Sequence, residues 1–276
     1  MLHIMGWVLA LTLNGHDGKE ATDRLVPPGW TGNPWGPAAA EARRSGEIPP
    51  IRVTPLMTQW DRWGRQVLKD GDIVFRRGDA RVLFGRFPFS RFIANCNNSL
   101  YSHTGIVAIE KDGPVVYDIT KAGVRRQPFD VWILDNVGPI GVKRVKPSLQ
   151  DRIPTVLAFC RKNYEEQPPF DYELGLDDSA FYCVEMTEKA YRSAGLVLSD
   201  PIRLGDMERA AEFPICIFTI QALSAWTLKE PLTLEDRVFF PGNDHNGIWS
   251  SPYLQTVYPV STATASTKPS KTEARR

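Results

Sequence analysis

Residues 103–120 limit the fold more tightly than any other stretch. His103 to Glu110 alternates well enough for a half-buried strand, Lys111-Asp112-Gly113-Pro114 has turn chemistry, and Val115 to Thr120 reads as the returning strand. Such a hairpin commits the chain to an antiparallel sheet. Ile73-Val74-Phe75, fed by the turn at Gly71-Asp72, and Gly138 to Lys146 read as further strands. Helical spacing brackets them. Leu56, Trp60, Trp63 and Val67 share a face between Pro55 and Lys69, as do Ile153, Val156, Leu157 and Cys160 between Pro147 and Asn163, where Pro154 is tolerated only near the start. A third helix is expected from about Ser179 to Ala194, with Gly195 as its C′ residue. Arg81 to Asn98, with Phe84, Phe87, Phe89 and Phe92, fits a helix or a packed loop, and Arg203 to Lys229 reads as helical or irregular. The order of elements describes an α+β domain, an antiparallel sheet or half-barrel packed against helices.

The remainder of the chain sorts by composition. Gly6 to Leu13 is a short apolar run, too short to span a bilayer as a helix. Its length suits the core of a secretory signal, yet no Lys or Arg precedes it and no small-x-small site follows. An export signal or anchor, including a signal whose start lies upstream of Met1, and a frayed or misassigned start are equal readings, with cell envelope or periplasm favoured slightly over cytoplasm. Val26 to Pro50 holds six prolines and four glycines and reads as a linker onto which Trp30 and Trp35 could dock. From Ser261 onward Ser, Thr, Ala, Lys and Arg dominate, the composition of a disordered tail. The expected organisation is therefore 1–50 as apolar segment and linker, 51–260 as the folded domain, and 261–276 as tail. A net charge of +1 lacks the basic footprint that nucleic acid requires. No integral membrane span, metal motif or nucleotide-binding loop is expected, and no cofactor.

The chemistry points to a cysteine. Cys183 lies in Phe181-Tyr182-Cys183-Val184-Glu185, in the first turn of the third helix. The helix dipole and unpaired N–H groups there favour thiolate over thiol. Cys96, Cys160 and Cys216 form no C-x-x-C pair and read as small buried hydrophobes. A thiolate hydrolase needs an imidazole. Of the four histidines, His3 and His16 lie in the unpatterned N-terminus and His245 in a turn, leaving His103 at the head of a strand. The orienting group must share its face. A tight hairpin centred on Asp112-Gly113 puts Val107 opposite Asp118, so Asp118 shares the face of His103 but lies four residues short of the position opposite it. Sheet coiling or a bulge would have to close that gap, and Thr120 is nearer in the same register.

Gly71-Asp72-Ile73-Val74-Phe75, Tyr101-Ser102-His103-Thr104-Gly105-Ile106-Val107 and the cysteine stretch, in that order, resemble the permuted branch of the NlpC/P60 papain-like cysteine hydrolases, the YiiX/YebB-like group. The resemblance covers roughly Gly71 to Gly195 and extends toward Tyr258. Histidine before cysteine is the permuted order, shared with lecithin–retinol-acyltransferase-like proteins. The resemblance implies Cys183 as nucleophile, His103 as base and Asp118 as third member, where relatives often carry glutamate. It also implies the Cys183 N–H as an oxyanion donor and Val184 in place of the family's usual Ser. The implied activity is cleavage of an amide bond in a cell-wall peptide or related small peptide through a thioester. The alternatives are a lipid acyl hydrolase or acyltransferase, and a non-catalytic binding module on the same fold. Tyr101 and Tyr182 read equally as pocket or structural residues, and Glu185 has no catalytic role.

Overall fold

The computed structural model describes residues 22, 25–80, 89–214, 217–218, 221 and 232–259. The expectations for the apolar run Gly6 to Leu13, for His3, His16, Phe84, Phe87 and Cys216, and for the tail from Ser261 lie outside them.

Helix α1 (Pro37–Ser45) and helix α2 (Pro55–Val67) precede the sheet. Both begin with Pro at the first helical position, where its missing N–H costs no hydrogen bond. Thr54 caps α2, its hydroxyl accepting from the Met57 N–H at 3.2 Å. A six-stranded antiparallel sheet follows, in the order β4-β3-β2-β1-β5-β8. Its strands are β1 (Ile73–Arg76), β2 (His103–Glu110), β3 (Gly113–Thr120), β4 (Gly123–Pro128), β5 (Ile140–Val145) and β8 (Leu254–Tyr258). Helices α3 (Phe89–Cys96), α4 (Phe129–Trp132), α5 (Ile153–Glu166) and α6 (Cys183–Ser193) are interspersed, and β6 (Ile202–Arg203) pairs with β7 (Arg237–Val238) in a separate ribbon.

The sheet is covered on both faces. Ile73, Phe75, Ile106 and Tyr117 pack with Val156, Cys160 and Met186 of α5 and α6. Val74, Val107 and Val116 face the other way, onto Phe129 and Trp132 of α4 with Trp60 and Trp63 of α2. The reading of His103–Glu110 as half-buried therefore needs correction: six of its eight residues are buried, because α2 and α4 cover the second face. The turn into β1 is equally confined. Gly71 has φ +73°, and a Cβ there would come within 2.4 Å of Ile153, so a side chain is excluded on both counts.

Three further expectations change. Val26 to Pro50 is not a composition-only linker: it carries α1, Trp35 packs with Met57 and Val131, and Trp30 packs beside Ala39, Ala42 and Ile48. Prolines start its helix and bound its turns. The cysteine helix begins at Cys183 and not near Ser179, because residues 170–181 run as a loop joined by a bridge between Phe170 and Phe181. The β2–β3 hairpin pairs Glu110 with Gly113 and Ile106 with Tyr117, so its loop is Lys111-Asp112. This register brings Asp118 two residues closer to His103 than a turn centred on Asp112-Gly113, and no bulge is needed.

Candidate active site

His103 is the first residue of β2, and alternation along the strand sends its first two side chains to different tasks. His103 Nε2 lies 2.6 Å from Asp118 Oδ2. In the observed register Asp118 is the diagonal neighbour of His103 across the β2–β3 pair, within reach of a ring. Thr104 faces α6, where its hydroxyl donates to the Cys183 carbonyl at 3.4 Å and lies 2.9 Å from Thr187 Oγ1. Thr187 Oγ1 also donates to the Cys183 carbonyl, at 3.3 Å. The strand that holds the imidazole thus also holds the first residue of the cysteine helix.

Cys183, at the start of α6, is near enough to His103 for its sulfur to act on the titration of the imidazole. Burial works against the charged imidazole, but the Cys183 sulfur and the Asp118 carboxylate outweigh burial and the opposing charge of Arg76, raising His103 to about 9. Cys183 is half-buried, whereas Cys96 and Cys160 are fully buried. Burial pushes the Cys160 thiol up to about 12, so it stays protonated.

Asp118 is sealed from solvent and held by four contacts. Arg125, directly opposite on β4, donates from Nε to Oδ1 at 2.9 Å and from Nη2 to Oδ2 at 2.6 Å. Trp132 Nε1 donates to Oδ2 at 2.7 Å, beside the His103 contact. Burial alone would raise this carboxyl. The Arg125 charge and the hydrogen bonds from His103 and Arg125 hold it well below the ordinary carboxylate range. Arg76, paired with His103 across β1 and β2, lies with its guanidinium 4.4 Å from the Trp132 ring centroid and donates to the Trp132 carbonyl at 2.7 Å.

Sequence reasoning singled out His103, Asp118 and Cys183, and the fold brings all three together. It missed Arg125, Trp132 and Arg76. Gly123 to Pro128 buries Arg125 and Gln127 as well as Val124, so no apolar alternation announces it. Thr120, weighed as nearer the imidazole, bonds the Ala122 N–H within its own turn at 3.3 Å. Tyr182 is structural: its hydroxyl accepts from the Phe239 N–H at 2.5 Å. Tyr101 is buried between Phe75 and Trp249, with ring centroids at 5.4 and 4.8 Å. Glu185 sits in the first turn of α6, fully buried, with Oε2 accepting from the Tyr182 N–H at a long 3.4 Å. Its Oε1 has no hydrogen-bond partner among the described residues, and burial raises the carboxyl to about 8.

Among the described residues no group of three or more His, Cys, Asp or Glu side chains could hold a metal ion. Nor is any helix among them long and apolar enough to cross a membrane.

Comparison with known proteins agrees with this fold. A family model described as the permuted papain-like amidase enzyme, YaeF/YiiX, C92 family matches residues 67–258. The uncharacterized protein YiiX of Escherichia coli (strain K12) is 28% identical over 189 residues, covering 68% of this chain and 84% of that protein. A crystal structure described as that of the metalloprotein yiiX from Escherichia coli O157:H7 superposes with a TM-score of 0.56 at 23% identity, covering 69% of this chain and 96% of that one.

Proposed function

Because this chain belongs to the YaeF/YiiX (C92) family of permuted papain-like amidases, we propose that it is a cysteine hydrolase that cleaves an amide bond through Cys183, His103 and Asp118. The observation that carries this reading is the buried carboxylate of Asp118, fixed by Arg125 and Trp132 and bonded to the imidazole that meets the cysteine. A purely structural histidine has no need of a carboxylate held charged beside it and a half-buried thiol on its other side.

In the reaction, His103 Nδ1 takes the Cys183 proton and the thiolate attacks the acyl carbon. The carbonyl oxygen gains the negative charge. The Cys183 N–H, in the first helical turn and without an intrahelical acceptor, is placed to donate to it. Collapse of this intermediate breaks the C–N bond as His103 gives its proton to the departing amine, leaving a thioester on Sγ. Water then attacks the thioester, His103 removes its proton, and the carboxylic acid and the thiol are released. Asp118 stays ionised throughout, holding Nε2–H so that Nδ1 does the proton transfer.

The substrate we propose is the amide of a cell-wall peptide or a related small peptide. The amidase description of the family supports the amide bond, and the peptide comes from the resemblance of the three motifs to the NlpC/P60 hydrolases. Peptidoglycan fragments and lipid esters or amides should be offered side by side to the wild type and to Cys183→Ala. Amine release from the peptide by wild type alone supports the reading. Fatty-acid release with no peptide cleavage would move the assignment to lipid acyl chemistry. With no turnover of either, iodoacetamide labelling of Cys183 across pH decides: profiles identical in wild type and His103→Ala would mean that no working pair exists.

A further inference from the structure

The catalytic carboxylate is supported from a part of the chain that precedes the family domain. Thr22 is fully buried, 45 residues before the matched region begins at residue 67. Its N–H donates to Asp135 Oδ1 at 3.1 Å and its hydroxyl to Asp135 Oδ2 at 2.5 Å. The same hydroxyl accepts from Gln127 Nε2 at 3.2 Å, and the Thr22 carbonyl accepts from Trp35 Nε1 at 3.1 Å. Thr22 thus uses its N–H, its carbonyl and its hydroxyl inside the protein.

Asp135 passes this anchoring inward. Its Oδ2 lies 3.2 Å from Arg76 Nη1, with both side chains almost wholly sealed from solvent. Arg76 stacks on Trp132 and bonds its carbonyl, and Trp132 Nε1 bonds the oxygen of Asp118 that His103 also contacts. Every link is buried, where a hydrogen bond is electrostatically strong and an unmade one is costly. The network also contains two arginine charges, Arg76 and Arg125, against Asp135 and Asp118. Arg76 opposes protonation of His103, so the seating of its counter-ion Asp135 bears on the imidazole directly.

We propose that Thr22 is a positioning residue: by fixing Asp135, it sets Arg76 and Trp132 and thereby the Asp118–His103 contact, so that the segment ahead of the family domain forms part of the working site. This inference rests on the proposed roles of His103 and Asp118, but its primary readout does not require turnover. Asp118 and Cys183 face His103 directly, with Arg76 across the strand pair and Arg125 behind Asp118, and these groups set its titration.

The test is a titration of His103 by NMR in the full chain with labelled histidine, for wild type, Thr22→Val and Thr22→Ser, with iodoacetamide labelling of Cys183 run in parallel. Thr22→Val keeps the shape and the N–H but removes the hydroxyl. We expect its His103 midpoint to fall by about half a unit or more, labelling at neutral pH to slow several-fold, and Thr22→Ser to restore both. A folded Thr22→Val chain with an unmoved His103 midpoint and unchanged labelling overturns the proposal. If Thr22→Val does not fold, Trp35→Phe, which keeps a ring but removes the bond to the Thr22 carbonyl, is read in its place with the same direction expected, and an unmoved midpoint again overturns it. Cys183 labelling profiles identical in wild type and His103→Ala, with a His103 midpoint that still responds to Thr22→Val, would refute the catalytic reading and leave the coupling standing.

Discussion

At the scale of single residues, Asp118 is where the site is most exposed to damage. Replacing it with Ala removes the carboxylate that Arg125 pairs with in the interior, and breaking a buried pair in this way costs about 3–5 kcal/mol. We expect urea denaturation of Asp118→Ala to show that loss, together with a fall in the His103 midpoint; a variant as stable as wild type would mean that Arg125 finds another acceptor. The pH dependence follows from the raised imidazole. A histidine lifted from 6.5 to about 9 contributes stability that is fully present below 6.5 and is lost as pH rises through about 9. Amide cleavage should decline over the same upper range, since protonation of the departing amine needs the imidazolium. A pH–rate profile still rising at 10 would contradict this. Asp118, held low, adds stability above its ordinary value near 3.8, lost only in strong acid.

Elements explain how such residues meet. The β2–β3 hairpin and the start of α6 converge because His103 opens its strand and Cys183 opens its helix, with Thr104 and Thr187 joining the two. The start of α6 also contains a liability in Glu185. A carboxyl raised from 4.5 to about 8 by burial destabilises the folded state progressively as pH climbs from 4.5 to about 8. Glu185→Gln removes that ionisation. Its stability relative to wild type should therefore grow across this interval, as thermal melts at pH 5 and pH 8 would reveal. A constant difference between the two pH values would show that Glu185 ionises freely in the native state. Farther along α6, Glu188 holds the chain after the helix by accepting from the Leu198 and Ser199 N–H groups at 2.9 and 3.2 Å.

For the molecule as a whole, the segment before residue 51 is packed onto the sheet assembly through Trp35. This side chain is buried against Met57 of α2 and Val131 of α4, with the Arg43 guanidinium 4.0 Å from its ring centroid. Trp35→Ala should cost about 3–5 kcal/mol, measured by urea denaturation of the full chain. A loss under 1 kcal/mol would return this segment to the role of a tether. The full loss would mark family domain and preceding segment as one cooperative unit, in which a chain trimmed to residues 51–260 exposes Met57 and Val131.

Local pattern was enough for much of this protein. Turn residues and alternation marked β1, β2, β3 and β5, helical spacing marked α2 and α5, and Gly195 marked the end of α6, because backbone preference and apolar period act over a few residues. Histidine before cysteine, with an acid on the right face, was also legible in the order of motifs. Tertiary structure alone decided the rest. The two-residue loop at Lys111-Asp112 set the register that brings Asp118 to His103. Arg125, Trp132, Arg76 and Thr22 carry no local signal, since a buried polar residue looks like a surface one until its partner is known. Their partners lie as much as 113 residues away in the chain, and only folding supplies them.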